Sequence, residues 1–232
     1  MSKLAVDPRP LDCAAVTSSR RYTDPLPPFP DLQFELPLWQ AGLRCVAGLD
    51  EAGRGAWAGP VAAGAVILPP DPAVARALWG VRDSKQMSAA QRGRWAAAIQ
   101  AQALAWGVGF ASNLEIDSLG ILPATRLAMQ RALEQLVPQP SHLLLDALRL
   151  PAVDLPQTAL VKGDRRVLSI AAASVLAKTA RDAWMTDLEN QFPGYSFARH
   201  KGYGTRAHRT ALDGLGACPA HRFSFSPIRT SK

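Results

Sequence analysis

Short apolar runs alternate with helix-like stretches from about residue 44 onward. Five runs have the length and low charge that are typical of buried strands, and they cover residues 44–49, 61–68, 105–111, 142–146 and 158–161. Three longer stretches, residues 88–102, 122–136 and 169–190, are predicted to be helices. Strands come first and then alternate with helices. This order predicts an α/β domain with a mixed β-sheet flanked by helices.

Local signals set the beginnings of two of these helices. Ser88 and Gln91 have the spacing of a capping box, in which each side chain bonds to the backbone of the other residue. Pro123 stands where the first turn of a helix tolerates proline. The stretch 169–190 carries a stripe of small and apolar side chains that includes Trp184, which we expect to pack in the core.

The first 40 residues differ from the rest of the chain. They hold seven of the 19 prolines and no glycine. Pro-rich sequence without periodicity forms neither ladders nor helices, so we expect a mobile or extended arm over residues 1–40. Residues 34–39 are expected to dock on the body, which the remaining residues, 41–232, form as one domain.

Composition fits a folded protein with a polyanionic partner. The chain has 232 residues, of which 48% are hydrophobic, and this argues against intrinsic disorder. The net charge is +7, and it is uneven: residues 1–160 hold 14 basic and 14 acidic side chains, and residues 161–232 hold 12 and 5. A basic end suggests nucleic acid, although an ordinary basic surface gives the same count.

Other classes of protein are disfavoured. The first residues contain no apolar run long enough for a secretory signal, and the longest uncharged stretch, residues 95–114, is interrupted by glycine, glutamine, serine and asparagine. The three cysteines (Cys13, Cys45 and Cys218) form no CxxC pair, which argues against a disulfide framework and a zinc site. We therefore expect a cytoplasmic protein that does not enter a membrane.

Acidic residues follow the predicted strands. Asp50 and Glu51 end the first strand, Asp146 ends the fourth, and Asp164 follows the fifth. Functional groups of an open α/β sheet gather at the carboxyl ends of its strands, and like charges brought together there need a cation. Oxygen ligands without His or Cys suit Mg²⁺ or Mn²⁺. The alternative is that these are separate exposed loop acids.

Asp50 and Glu51 raise a geometric question. Neighbouring side chains of an extended strand point to opposite faces, so both can reach one metal only if the chain turns there. Gly53 and Gly55 supply the conformational freedom for such a turn.

The ordered motifs of the chain resemble the ribonuclease HII family of bacterial type 2 ribonucleases H. They are GLDEAGRG at 48–55, GP at 59–60, DSK at 83–85, LLD at 144–146, KGD at 162–164, SIAAASVLAK at 169–178, RD at 181–182 and HKGYGT at 200–205. The resemblance covers roughly residues 45–227. One departure lies after Asp146, where Ala147 and Leu148 replace a common Gly-Asn pair.

The resemblance implies a fold, an activity and a set of site residues. The implied fold is a ribonuclease H-like mixed sheet flanked by helices, with a helical C-terminal extension. The implied activity is metal-dependent cleavage of the RNA strand of RNA–DNA hybrids, and cutting 5′ of ribonucleotides embedded in duplex DNA. By resemblance Asp50, Glu51, Asp146 and Asp164 are the catalytic carboxylates, the first three being metal ligands for Mn²⁺ or Mg²⁺.

The resemblance also implies substrate-binding residues. Gly53, Arg54 and Gly55 match the triplet that reads the ribonucleotide, and their small size lets backbone groups approach its 2′-hydroxyl. Tyr203 matches the tyrosine that stacks on the neighbouring sugar, although a tyrosine alone is more often partly buried core. Lys85 and Lys201 are candidate phosphate contacts.

Competing interpretations remain open at this point. A duplex-binding module could keep the same fold without catalysis, and a nucleoside triphosphatase could use the Gly-rich segment. The missing G-x-x-x-x-G-K-[ST] pattern argues against the second. Ribonuclease HIII carries an additional folded N-terminal domain, for which 40 Pro-rich residues are too few. We expect a monomer whose partners are RNA–DNA hybrids and ribonucleotide-containing DNA duplexes.

Overall fold

The computed structural model describes residues 25–229, and the helices and strands below lie within that range. The strands are β1 (Val46–Ala52), β2 (Val61–Ile67), β3 (Ala105–Ala111), β4 (His142–Asp146) and β5 (Gln157–Leu160). The helices are α1 (Glu35–Gln40), α2 (Val74–Ala77), α3 (Ala89–Gln102), α4 (Asn113–Leu119), α5 (Ile121–Leu133), α6 (Leu168–Gln191), α7 (Phe197–His200), α8 (Arg206–Leu215) and α9 (Ser226–Arg229). Two 3₁₀ turns lie at Ser84–Gln86 and Gly163–Arg165.

The five strands form one mixed sheet in the order β3-β2-β1-β4-β5. β2 pairs antiparallel with both β1 and β3, and β4 pairs parallel with both β1 and β5. Leu49 of β1 lies opposite Leu145 of β4, so the residues that follow, Asp50 and Asp146, leave the sheet at the same edge. The predicted mixed-sheet α/β fold and its helical C-terminal extension are confirmed.

Helices cover both faces of the sheet. On one face α5 packs on β1, β2, β3 and β4 through a cluster that includes Leu49, Met129 and Leu145. On the other face α6 and α3 pack against a second cluster that includes Val66 and Ile99. β2 is buried along its whole length, which explains why its sequence is an uninterrupted apolar run.

The close approach of α6 to the sheet depends on two glycines at its centre. A Cβ atom at Gly48 would lie 2.3 Å from the backbone carbon of Ser169, and one at Gly64 would lie 2.3 Å from the carbonyl oxygen of Ala173. Those distances are far inside van der Waals contact. Glycine at both positions therefore lets the α6 backbone lie directly on β1 and β2.

A buried glutamate caps the first turn of α6. The N-cap residue Val167 has no side-chain acceptor to offer. Glu35 of α1 takes that role, because its Oε1 accepts a hydrogen bond from the backbone N–H of Ser169 at 2.9 Å. A carboxylate near a helix N-terminus satisfies an otherwise unpaired donor and interacts favourably with the helix dipole. Burial nevertheless raises the pKa of Glu35 to about 7.

This contact changes the picture of the N-terminal arm. Residues 1–24 lie outside the described residues. From Asp31 onward the chain is packed: Asp31 forms a parallel bridge with Val167, and Leu32, Glu35 and Leu38 are buried. The expectation that residues 34–39 dock on the body is met. The expectation of a mobile segment up to residue 40 does not hold for residues 31–40, because α1 caps α6.

Element boundaries agree closely with the pattern and differ where tertiary contacts intervene. Both bonds of the Ser88–Gln91 capping box are present. β1 runs through Asp50 and Glu51 to Ala52, past the predicted end at Asp50. The sequence analysis did not identify α4 or α8 individually. Trp184, expected in the core, is 48% exposed and packs beside Phe110 of the edge strand β3.

No helix in residues 25–229 is both long and apolar enough to cross a lipid bilayer. Cys45 and Cys218 are free thiols.

Substitution Glu35→Gln is expected to change how stability depends on pH. A carboxyl whose pKa rises from 4.5 to about 7 on folding keeps its proton longer in the folded state, so stability falls as pH rises between those values. Glutamine keeps the acceptor for Ser169 and has no charge to bury. Relative to Glu35→Gln, the wild type should lose about 1 to 3 kcal/mol of unfolding free energy between pH 5 and pH 8.

Urea unfolding at the two pH values measures this difference. Glu134→Gln, at an exposed glutamate of the α5 end, is the matched control and should follow the wild type. An identical pH dependence for Glu35→Gln and wild type would contradict the assignment.

Candidate active site

Three carboxylates meet at the edge of the sheet where β1 and β4 end. Each of Asp50, Asp146 and Asp164 offers one oxygen, and these oxygens all lie within 4.8 Å of one another. Asp50 and Asp146 are neighbours because their strands are parallel and in register. Asp164 is brought in by the 3₁₀ turn after β5, where the N–H of Gly163 donates to Oδ1 of Asp146 at 2.8 Å.

Burial and mutual repulsion make these carboxyl groups hard to ionise. Burial, followed by the charges of Glu51 and Asp146, raises the pKa of Asp50 well above its usual range. Burial and the charge of Asp146 raise the pKa of Asp164 to about 6. Burial also raises the pKa of Asp146. Groups that repel each other in this way favour a cation between them.

Glu51 lies beside this trio and outside it within the described residues. Since β1 continues to Ala52, Asp50 and Glu51 alternate as strand residues do, and the turn comes only at Gly53, with φ of +96°. Oε1 of Glu51 accepts a hydrogen bond from Arg54 at 3.0 Å. Its Oε2 is buried and has no hydrogen-bond partner among the described residues.

The donor set fits a hard divalent cation. All three close ligands are carboxylate oxygens, and the buried, unpaired Oε2 of Glu51 is a fourth oxygen in need of a partner. Mg²⁺ and Mn²⁺ bind such oxygens, whereas zinc prefers nitrogen and sulfur. The predicted ligands Asp50 and Asp146 are thus brought together with Asp164, and Glu51 is adjacent.

A groove of about 260 Å³ borders the carboxylates. It is lined by Glu51, Ala52, Gly53, Arg54, Gly55, Ser84, Lys85, Lys178 and Tyr203. The five residues predicted to bind substrate therefore all lie on one groove, although they come from three distant parts of the chain. Burial alone would lower the pKa of Lys85, but the charges of Asp50 and Asp83 outweigh it and the pKa is raised.

Tyr203 is half-buried at this groove and is not a core tyrosine. Its backbone forms an antiparallel bridge with Ala56 of the glycine loop. Its ring lies 5.6 Å from Nζ of Lys178 and 5.4 Å from the guanidinium carbon of Arg181. Cations at these distances hold an aromatic ring in place.

Buried histidines hold the backbone of Tyr203. Nδ1 of His208 lies 3.0 Å from the carbonyl oxygen of Tyr203, which can only accept, so Nδ1 donates and Nε2 is left to accept. Nε2 of His208 is 3.0 Å from Nε2 of His221, which therefore donates. Burial lowers the pKa of His208 to about 4, in keeping with a neutral ring.

Two predicted phosphate contacts have structural partners instead. Arg181 is fully buried and donates to the carbonyl oxygens of Ala58, Pro60 and Lys201. Nζ of Lys201 donates to the carbonyl of Asp182 and to Thr186, both on α6. Lys85 remains directed at the groove.

Sequence reasoning also missed Arg222. This residue is fully buried near the end of the chain, and its side chain reaches the carbonyl oxygens of Gly53 and Arg54. An arginine 168 residues away from its partner leaves no periodic signal in the sequence. Only a recognised pattern of buried arginine could have pointed to it.

Comparison with known proteins identifies the family. The family model described as ribonuclease HII matches residues 47–228. Ribonuclease HII of a Synechococcus species is 55% identical over 202 residues, which cover 86% of this chain and 90% of the relative. The chain belongs to the ribonuclease HII family. It is therefore a hydrolase, a metal-dependent endoribonuclease of the ribonuclease H type.

Solved structures with the same fold agree. The chain is 24% identical to a structure described as the PCNA:RNase HII complex from Archaeoglobus fulgidus, with a TM-score of 0.66 over 80% of this chain and 97% of that one. It is 21% identical to Bst-RNase HIII in complex with Mn²⁺, with a TM-score of 0.59 over 84% and 71%. These likenesses confirm the predicted ribonuclease H-like fold.

Binding of Mn²⁺ to the carboxylates should depend on pH. A raised pKa means that protons compete with the metal, and that of Asp164 is about 6. Affinity should rise about tenfold between pH 5.5 and pH 7.5, with release of protons. Titration calorimetry in buffers of different ionisation enthalpy measures both effects.

Asp213→Asn, at an exposed aspartate of α8, is the control and should bind Mn²⁺ as the wild type does. Affinity that does not change with pH, and heats that do not depend on the buffer, would contradict a site made of these carboxyl groups.

Proposed function

We propose that this ribonuclease HII hydrolyses the RNA strand of RNA–DNA hybrids and cuts on the 5′ side of single ribonucleotides embedded in duplex DNA, leaving 5′-phosphate and 3′-hydroxyl ends. One observation carries the proposal: three converging carboxylates border a groove lined by the glycine loop and Tyr203. A site for metals thus lies next to a surface able to contact a sugar.

Asp50, Asp146 and Asp164 would hold the metal, with Glu51 available through its unpaired Oε2. We propose two ions of Mg²⁺ or Mn²⁺ with substrate bound; when present, they supply activation of the attacking water and stabilisation of the leaving 3′ oxygen. The carboxylates supply the negative charge that retains the ions. Lys85, whose ammonium faces the same groove, offsets the charge of an incoming phosphate.

Recognition of the ribonucleotide would fall to the glycine loop and Tyr203. Gly53 and Gly55 have no side chain to keep a sugar away from the backbone, and a 2′-hydroxyl both donates and accepts hydrogen bonds. The ring of Tyr203 is held at the other side of the groove, where it can stack on the neighbouring sugar. A deoxyribose at the same place would lack the hydroxyl that the loop contacts.

The basic segment would hold the duplex. Residues 161–232 carry the excess of 12 basic over 5 acidic side chains, and they contribute Lys178 and Tyr203 to the groove. Phosphate contacts of this kind add affinity without reading sequence. We further propose that residues 41–232 form the catalytic domain, and that the enzyme acts as a cytoplasmic monomer.

Removal of one carboxylate should abolish cleavage. Asp50→Asn or Asp146→Asn deletes a charge from the metal-holding group, and we expect cleavage of a duplex with one ribonucleotide to fall at least a hundredfold in Mg²⁺ or Mn²⁺. EDTA should stop the wild type, and Asp213→Asn should cut normally. Unchanged cleavage in either site variant would overturn the site; binding without cutting by the wild type under every metal would indicate a duplex-binding module.

Loss of the tyrosine ring should act on ribonucleotide cleavage. Tyr203→Ala removes the surface that stacks on the sugar, and a loss of about tenfold or more in kcat/KM at a single embedded ribonucleotide is expected. Tyr203→Phe keeps the ring and should retain most of the activity. Steady-state rates with a matched full hybrid distinguish a general defect from one confined to single ribonucleotides, and an unimpaired Tyr203→Ala would remove this residue from the site.

A further inference from the structure

Arg222 has a fully buried side chain whose hydrogen bonds, within the described residues, all go to backbone carbonyls. Nε donates to Gly59, one terminal nitrogen to Arg54, and the other to both Gly53 and Pro60. These distances are 2.8–3.0 Å. One guanidinium therefore ties the two ends of the loop 53–60 together.

The loop has little to hold it otherwise. Between Gly53 and Gly55 the only internal backbone bond found in the described residues runs from the N–H of Ala56 to the carbonyl of Gly53, at 3.3 Å. Gly53 has a positive φ and Gly55 has open space around it, so the chain is free to rotate there. The contact with Arg222 removes that freedom.

Peptide geometry turns this contact into a direction for the groove. In a trans peptide the C=O and the following N–H point to opposite sides. Since the carbonyls of Gly53 and Arg54 point at the buried Arg222, the N–H groups of Arg54 and Gly55 point away from it. Neither N–H has a hydrogen-bond acceptor among the described residues, and both residues line the groove.

The segment that carries Arg222 is itself fixed to the body. Asn113 of α4 donates to the carbonyls of Pro219 and His221, and Asp117 accepts from the N–H groups of Phe223 and Ser224. A separate bridge pairs His221 with Ala58 of the loop. The end of the chain is thus a rigid support between α4 and the glycine loop.

We propose that Arg222 is a positioning residue, which orients the N–H groups of Arg54 and Gly55 toward the groove and so sets the preference for ribose over deoxyribose. The inference rests on the proposed function, because it assumes that this loop contacts the 2′-hydroxyl. A lysine at the same place keeps the charge but has one nitrogen, which cannot reach both ends of the loop at once.

Binding preference tests the proposal without interference from the fraction of folded protein. In an Asp50→Asn background with Mg²⁺, fluorescence anisotropy gives Kd for two duplexes that differ only by one 2′-hydroxyl. We expect Arg222→Lys to lower the ratio of the two Kd values by about three- to tenfold, the size of one displaced hydrogen bond. Loss of folded protein would scale both Kd values equally and leave the ratio unchanged.

Met129→Ala serves as the control for stability. It removes a buried side chain on the opposite face of the sheet, and it should lower the melting temperature while leaving the ratio unchanged. Cleavage by the Asp50→Asn parent, or the absence of any ribose preference in it, would overturn the proposed function. A parent that prefers ribose, with the same preference in Arg222→Lys, would overturn the role of Arg222 alone.

A second variant leaves Arg222 in place. Asp117→Asn weakens the anchor of Phe223 and Ser224 at the surface of the protein, and it is expected to fold even if Arg222→Lys does not. Loosening the support should lower the ribose preference by about twofold or more. An unchanged preference in Asp117→Asn, when Arg222→Lys is unfolded, overturns the proposal.

Discussion

The parallel pairing of β1 with β4 is the constraint from which the active site follows. It brings the ends of two strands that are almost 100 residues apart to one edge of the sheet, so that Asp50 and Asp146 are neighbours. The same pairing requires the chain between them to cover a face of the sheet, which α5 does. Gly48 and Gly64 then allow α6 to lie on the other face, directly beneath the carboxylates.

Concentrated negative charge has a cost that the surroundings offset only in part. Within the described residues Asp50 and Asp164 make no ion pair with a base, and burial raises the pKa of each. Lys85 is close enough for its pKa to be raised by the carboxylates. An apo enzyme of this design is under electrostatic strain, and a divalent cation relieves it. Affinity for metal and the cost of folding without metal are two consequences of one arrangement.

Substrate recognition depends on a different kind of support. The glycine loop needs small residues to admit a sugar, and the same residues leave it without side chains to fix its shape. Buried arginines and histidines from the C-terminal third provide the missing contacts: Arg222 and Arg181 hold loop carbonyls, and His208 holds Tyr203. Arginine suits this task because its fixed fork of donors can bond several carbonyls at once.

Local pattern by itself determined the strands, the capped helix at Ser88 and the acids that end β1 and β4, because side-chain periodicity and capping are short-range effects. Motif resemblance added Asp164, Tyr203 and the glycine loop. Only the tertiary structure decided that Glu51 stands beside the trio of Asp50, Asp146 and Asp164, that Glu35 caps α6, and that Arg222 supports the loop. These contacts join residues that are distant in the chain, and their energies come from burial and paired hydrogen bonds, which exist only once the chain has folded.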